Sequence, residues 1–144
     1  MAITSAICNS FKVQILTGTH DFTASTGDTF NLALYTSSAT LDKDTTVYIT
    51  TNEVATATGY TAKGKALTSV TPVLSTDTAV CDFANVSWTS ASFTSRGCLI
   101  FNDSVATDPA VCAIDFGGDK TVTSGTFTIE FPAASAGTAI IGIA

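Results

Sequence analysis

Charged residues are scarce in this chain, and their scarcity excludes several classes of protein. Only 12% of the 144 residues are charged, against about 25% in ordinary soluble domains. The six basic residues are scattered, whereas a nucleic-acid binder needs clustered Lys and Arg to neutralise phosphates. No apolar run approaches the roughly 18 residues of a membrane-spanning helix. We therefore expect neither a nucleic-acid partner nor a membrane partner.

Closely spaced cysteines and a leader are also missing. Cys8, Cys81, Cys98 and Cys112 contain no C-x-x-C pair, and the last three lie in apolar runs. This spacing favours buried free thiols over a metal or redox site. The first residues lack the basic and then apolar pattern of a secretion signal. We expect the chain to fold in a reducing cytoplasm.

Catalytic and metal-binding motifs are absent from the sequence as well. His20 is the only histidine, and no serine lies in a G-x-S-x-G setting, so His20 is better explained by a capping or turn role. Asp42 and Asp44 share one stretch, and Asp103 and Asp108 share another, but neither pair has the spacing of a calcium loop. We expect no catalysis, no cofactor and no bound metal.

One stretch imitates a nucleotide-binding motif. In GYTAKGKAL, Gly59, Gly64 and Lys65 follow the spacing of the phosphate-binding P-loop, but Ala66 replaces the Ser or Thr that would bind magnesium. A P-loop also requires a following helix, whereas the next residues resemble a strand and include Pro72. The stretch is better interpreted as a glycine-marked loop that enters a strand.

Small residues take the place of charge, since the chain contains 27 Thr and 20 Ala, and the β-branched Thr favours strands. Apolar residues alternate with period two in TFNLALYT and TFTIEF, which predicts half-buried strands there. The predicted strands are 29–36, 45–50, 66–74, 78–83, 91–101, 110–116, 126–131 and 138–144. Turn signals lie at 75–77, 117–119 and 124–125.

The first 18 residues have a different period. Ile7, Phe11 and Ile15 recur every four residues and predict a helix over about 5–17, capped by Thr4 or Ser5 and ended by Gly18. Together these patterns predict one all-β domain over residues 1–144, with residues 1–18 as a helical segment and 19–144 as the β-body. The expected architecture is an antiparallel β-sandwich or jelly-roll of about eight strands with one short N-terminal helix.

Five stretches taken together resemble a known group of proteins. The stretches are NSFKVQILTGTHDF, NLALYTSSATLD, TNEVATATGYTAKGKAL, VCDFANVSWTSASFTSRGCLIFND and DFGGDKTVTSGTFTIEFP, covering most of the chain. In order and spacing they resemble small virion structural proteins of tailed bacteriophages. The resemblance implies a β-sandwich or jelly-roll component of the virion, assembled in the host cytoplasm, and it carries no catalytic motif.

The compact, weakly charged chain favours one role within that group, a non-enzymatic capsid decoration or cement protein on the outside of the head. Its expected partners are the major capsid protein and copies of itself, as a dimer or a trimer. The alternative is a tail-fibre or head-fibre component that assists host attachment. A third hypothesis, from another class, is a carbohydrate-binding module or a small hydrolase.

Two long connections, 51–64 and 102–110, and the N-terminal segment are the expected contact regions, because loops of β-domains collect contact functions. Tyr60 either anchors its loop on the body or is presented to a neighbour. The candidate contact residues are Phe11, His20, Asn52, Glu53, Tyr60, Lys63, Asp103 and Asp108.

Overall fold

The computed structural model describes residues 2–57 and 59–144; Met1 and Thr58, the latter inside the predicted contact loop 51–64, lie outside the described residues. The described residues form one helix and eight strands. In chain order these are β1 (Ala6–Ile7), α1 (Asn9–Leu16), β2 (Phe30–Tyr35), β3 (Lys65–Ala66), β4 (Ser69–Ser75), β5 (Thr78–Phe83), β6 (Val86–Asn102), β7 (Ala110–Ile129) and β8 (Ile141–Ile143).

Two antiparallel sheets make up the body. The larger sheet has the strand order β1-β7-β6-β2-β3, and the smaller has the order β4-β5-β8. Phe30 of the larger sheet and Phe83 of the smaller lie with ring centroids 5.9 Å apart, and Phe22 stacks on Phe30 at 4.2 Å. The all-β class with one short helix is confirmed, and this packing of two sheets is consistent with the predicted sandwich.

The strand β2 is buried on both faces. Its alternating sequence predicted a half-buried strand, and that prediction is wrong, because all six residues are buried. Phe30 packs toward the smaller sheet. On the other face, the Tyr48 ring stacks on Phe101 at 4.7 Å, and the Tyr35 hydroxyl donates to the Ile49 carbonyl oxygen at 2.6 Å.

The predicted strand at 45–50 is not formed. These residues, all of them described, make only an isolated bridge between Val47 and Pro109. The reason is that the segment lies over the face of the larger sheet, with Tyr48 packed on Phe101. Its alternation therefore reflects side-chain packing rather than strand pairing.

The strands β6 and β7 form one long antiparallel ribbon, joined by the predicted loop between Asn102 and Ala110. Turns predicted at 117–119 and 124–125 are wrong, because β7 continues through both places. Gly117 and Ser124 do have positive φ angles, of 76° and 46°, but the register against β6 shifts there, so these residues form bulges. The predicted strands 110–116 and 126–131 are therefore parts of one strand, which ends at Ile129.

The glycine-marked stretch leads into strands, as its sequence predicts. The predicted strand 66–74 is divided, however, because Lys65–Ala66 pair with β2 in the larger sheet while Ser69–Ser75 pair with β5 in the smaller. Leu67 and Thr68 carry the chain between the two sheets. The predicted turn at 75–77 is confirmed as the connection between β4 and β5.

The N-terminal helix is shorter than predicted. It begins at Asn9 rather than near residue 5, because Ala6 and Ile7 pair with β7 as a strand. Ser5 does not cap the helix, since its hydroxyl accepts a hydrogen bond from the Asp115 N–H at 2.8 Å. The predicted end at Gly18 is confirmed, with φ of 73° and the Thr19 N–H bound to the Gln14 carbonyl oxygen at 3.0 Å.

The cysteines are free thiols, as expected, with Cys8, Cys98 and Cys112 buried and Cys81 partly exposed. Burial raises the pKa of Cys112 to about 12, so this thiol stays protonated and packs as a small apolar group. In the part of the chain that the structure describes, no helix is long and apolar enough to cross a membrane.

Gly64 provides a test of the entry into β3. Its φ is 66°, and a Cβ atom added there would overlap the carbonyl oxygen of Leu32. We expect Gly64→Ala to lower the free energy of unfolding by about 3 kcal/mol or more, because the backbones of two paired strands must separate.

Gly117→Ala is the matched control. Gly117 has a similar φ of 76° with no atom near the added Cβ, so this variant should lose only the conformational term of about 1 kcal/mol. Urea unfolding of both variants measures the difference. Equal losses would show that the close approach of Gly64 to β2 contributes nothing.

Candidate functional site

Six of the eight candidate contact residues lie together on one side of the larger sheet. They come from the two long connections, which are separated in sequence but joined in space by the Lys63 ammonium group. The six are Asn52, Glu53, Tyr60, Lys63, Asp103 and Asp108. We call the set Tyr48, Glu53, Tyr60, Lys63, Asp103 and Asp108 the Glu53 network.

The carboxylate of Glu53 is the centre of this network. Its Oε2 accepts a hydrogen bond from the Tyr48 hydroxyl at 2.5 Å, and its Oε1 accepts from the Tyr60 hydroxyl at 2.7 Å and from the Lys63 N–H at 2.8 Å. Charge-assisted bonds of this kind are stronger than neutral ones. One side chain therefore ties three points of the 45–64 segment together.

Tyr60 anchors its loop on the body, which is the first of the two alternatives that its sequence position allowed. Its side chain is 2% exposed, and its hydroxyl oxygen accepts a hydrogen bond from the Leu34 N–H at 2.9 Å while donating to Glu53. Burial is the largest cause of the raised pKa of Tyr60, so the hydroxyl keeps the proton that it donates. Tyr60 has almost no surface to present to a partner.

Lys63 connects the two loops. Its Nζ lies 2.8 Å from Asp108 Oδ2 and 2.9 Å from Asp103 Oδ1, and it also lies over the rings of Tyr48 and Phe101. Hydrogen bonds to Asp108 and then to Asp103 raise the pKa of Lys63. The group is thus a permanent cation held between two acids, and it fastens the 102–110 loop to the 51–64 loop.

Asn52 is an exposed corner of the same region. It has a positive φ of 61°, its carbonyl oxygen accepts from the Thr36 N–H at 3.0 Å, and its Nδ2 donates to the Ser38 carbonyl oxygen at 2.9 Å. Asn52 is exposed, and Lys63, Asp103 and Asp108 of the network are partly exposed to solvent on the same side of the domain. Contact between these residues and a partner stays a prediction.

Phe11 and His20 belong to a separate, buried cluster at the end of α1. Their rings lie 5.0 Å apart, and both residues are buried. The His20 Nε2 donates to Gln14 Oε1 at 2.9 Å, which makes Nδ1 the acceptor for the Asn102 amide at 3.0 Å. Their burial gives both side chains a structural role and leaves little area for an external contact.

The same Asn102 amide also donates to Asp28 Oδ2 at 2.7 Å. Burial lowers the pKa of His20, with the nearby Asp28 charge acting in the opposite direction. The imidazole is therefore neutral near neutral pH, and it links the helix to the end of β6. The capping or turn role expected for His20 is not observed, because its ring binds the side chains of Gln14 and Asn102 rather than backbone groups at the helix end.

The sequence did not identify three partners, namely Tyr48, Asp28 and Asn102. Tyr48 lay within a predicted strand, five residues before Glu53, and only the spacing of a tyrosine near a lone glutamate could have suggested it. Across residues 2–57 and 59–144, no group of three or more His, Cys, Asp or Glu side chains is placed to hold a metal ion. The arrangement fastens loops together through matched donors and acceptors.

Glu53→Gln tests the centre of the network. An amide can accept at one atom only, so its NH₂ group would face a hydroxyl donor or lose its partner. We expect a loss of about 2 kcal/mol in the free energy of unfolding, measured by urea denaturation. Asp103→Asn is the control within the same network and should cost less than about 1 kcal/mol, because that ion pair is partly exposed. An equal or smaller loss for Glu53→Gln would contradict the central role of Glu53.

His20 predicts a pH dependence of stability. The unfolded chain binds a proton at His20 near the ordinary pKa of 6.5, and the folded pKa is lower. The contribution of the neutral His20 ring to the free energy of unfolding is therefore fully present above about pH 6.5, and it is lost as the pH falls toward the pKa of His20 in the folded state. Urea unfolding at about pH 7.5 and about pH 5.5 should show this loss, and His20→Gln should reduce it. If the variant keeps the whole loss, His20 is not the group that causes it.

Comparisons of this chain with protein-family models, with curated proteins and with solved structures found no match. The function of the chain is therefore inferred from its residues and their geometry.

Proposed function

We propose that this chain is a non-enzymatic structural protein of a bacteriophage virion, a decoration or cement protein that binds the outside of the head and stabilises it. The sequence resemblance to small virion proteins of tailed phages supports the class. The observation that carries the role is an exposed apolar row on the smaller sheet. Its partner in this proposal is the major capsid protein, and the body is a β-sandwich for which jelly-roll connectivity stays a prediction.

The row consists of Leu74, Ala79 and Ile143, which are cross-strand neighbours in β4, β5 and β8. Side chains of directly paired residues point to the same face of a sheet. Leu74 is 70% exposed and Ile143 is 56% exposed, although both are large apolar residues. An apolar surface that spans all three strands is the type of patch that another protein covers. We call these three residues the Leu74 row.

A shallow groove extends the Leu74 row toward the helix. It has a volume of about 270 Å³, and its lining includes Ala79 and Ile143 together with Ile15, Phe22 and Ile141. An apolar side chain of a partner could insert here and gain burial beyond a flat contact. Because charged residues are few, the surrounding surface adds little repulsion to such docking.

The fastened loops suit a cement role. The Glu53 network holds the segment 45–64 on the body, and Lys63 holds the 102–110 loop. A domain that is already ordered loses little conformational entropy when it binds, so a modest interface is enough. Many copies on one head then act together.

The alternative hypotheses receive less support from the geometry. A carbohydrate-binding module uses exposed aromatic rings, whereas Trp88, the sole tryptophan, is 1% exposed. A host-binding fibre is long, and this chain is compact around a continuous core. Neither observation favours a second candidate function.

Particle composition tests the proposal. Quantitative mass spectrometry of purified virions should find the chain in numbers comparable to the major capsid protein, and its deletion should reduce the heat resistance of filled heads while adsorption stays normal. A few copies per particle, or lost adsorption with normal heads, would instead indicate a fibre component.

Leu74→Asp tests the docking surface. A charge within an apolar contact is costly, so occupancy on heads that lack the chain should fall about tenfold or more in a binding assay, with an unchanged unfolding midpoint. Val13→Asp is the matched control, because Val13 is 64% exposed on α1, about 200° around the helix from Phe11 and Ile15. Equal occupancy for both variants would rule out the Leu74 row as the contact.

A further inference from the structure

One edge of β7 is open along most of its length. On one side β7 pairs with β6 from Ala110 to Ile129, but on the other side β1 covers only Cys112 and Ala113. Beyond Asp115, the described residues provide no strand that pairs with this second side. An open edge of this kind presents unpaired N–H and C=O groups to another chain.

The open part of β7 lacks two of the usual protections against pairing, charge and proline. Residues 121–129, TVTSGTFTI, contain no charged residue and no proline, and six of the nine are the β-branched residues Thr, Val or Ile. Native edges are normally guarded by charges, proline or very short strands. This composition favours strand addition rather than exposure to solvent.

Two opposite charges bracket this stretch. Lys120 precedes it and Glu130 follows it, both are exposed, and neither forms an ion pair within the described residues. Each lies five residues from Gly125. When two such strands run antiparallel about an axis near Gly125, Lys120 of each chain lies opposite Glu130 of the other.

We propose that two copies of this chain associate through the open edges of β7, antiparallel about a two-fold axis near Gly125. A two-fold contact is self-complementary by symmetry, and here it forms two Lys120–Glu130 pairs and joins the two larger sheets into one. Gly125 has no side chain, and the atoms nearest to an added Cβ lie at 3.4 Å or more. The backbones can therefore approach closely at the axis.

The bulge at Thr123 and Ser124 is compatible with this pairing. The Ser124 N–H is already bound by the Ser92 hydroxyl of β6 at 2.8 Å, so the irregular amide is satisfied within the chain. The bulge bends the strand locally, and the residues on either side of it supply the hydrogen bonds across the axis. The ion pairs fix the alignment and add modestly to the affinity, whereas like charges at the same positions would oppose the pairing.

An apolar groove beside the same strand supplies further area for the contact. It has a volume of about 770 Å³, and Lys120 and Glu130 line it together with apolar residues. The apolar lining includes Ile7, Ile114, Phe116, Phe127, Ile129 and Ile140. A second copy laid along the edge would cover this groove, and stable interfaces need such apolar burial in addition to strand hydrogen bonds.

This pairing gives a geometry to the self-association that the sequence led us to expect, and its test uses purified protein and does not depend on the virion. Sedimentation velocity of the full chain should show a dimer. Each single variant, Lys120→Glu or Glu130→Lys, places two side chains of like charge opposite each other at both ends of the paired strands. Each should therefore weaken the dimer about tenfold. The double variant restores opposite charges and should recover the affinity.

Gly125→Cys tests the alignment separately. Residues directly opposite in an antiparallel pair lie about 4.5–5.5 Å apart at Cα, within the range of a disulfide, so mild oxidation should link two copies. The wild-type chain, whose cysteines are mostly buried, is the control and should stay unlinked. A chain that is monomeric at all concentrations, a dimer unaffected by either charge reversal, or a dimer that Gly125→Cys cannot link would each overturn the proposal.

Discussion

The burial of β2 on both faces is the constraint on which the rest of the larger sheet depends. A strand in this position cannot leave its backbone groups without partners, yet β3 pairs with β2 only at Asn31 and Leu32. The remaining edge is closed by the loop, with the Leu34 N–H bound to the Tyr60 hydroxyl and the Leu34 carbonyl oxygen bound to the Val54 N–H at 2.8 Å. The loop 51–64, which the sequence suggested as a contact region, therefore supplies β2 with the hydrogen-bond partners that a longer β3 would otherwise supply.

The Glu53 network follows from this edge. A tyrosine hydroxyl that accepts from a backbone N–H still has a proton to donate, and Glu53 receives it. The same carboxylate also accepts a hydrogen bond from the Lys63 N–H, which stabilises the positive φ of 72° at Lys63. From this position the Lys63 side chain reaches Asp103 and Asp108. Polar residues in a loop normally indicate solvent or a partner, but here most of their hydrogen-bonding capacity is used within the chain.

Sequence periodicity predicted the helix, most of the strands and the apolar core, because those depend on local spacing. It could not distinguish a strand from a covering segment at 45–50, since alternation around Tyr48 arises from either one. It also could not separate a turn from a bulge at Gly117, because the difference depends on whether β6 continues alongside. Six site residues were found as members of two loops, but their convergence through Lys63 joins positions 40 residues apart in the chain, which no local pattern reports.

The edge strands of the two sheets differ in how they are protected against pairing with another chain. As a result, the proposed contact between copies and the proposed docking surface lie on different sheets. The edge strand β4 contains Pro72, which has no N–H to donate to a further strand, and β1, β3 and β8 are at most three residues long. Within the described chain this leaves β7, in the larger sheet, as the long edge strand with a stretch that carries neither charge nor proline, while the Leu74 row lies on the smaller sheet. Because the two surfaces belong to different sheets and share no residue, a dimer formed through β7 leaves both copies of the Leu74 row uncovered by the β7 contact. If the two-fold axis places both rows on one side, the dimer engages the proposed partner at two sites, and two weak contacts held in one rigid unit bind far more tightly than either alone.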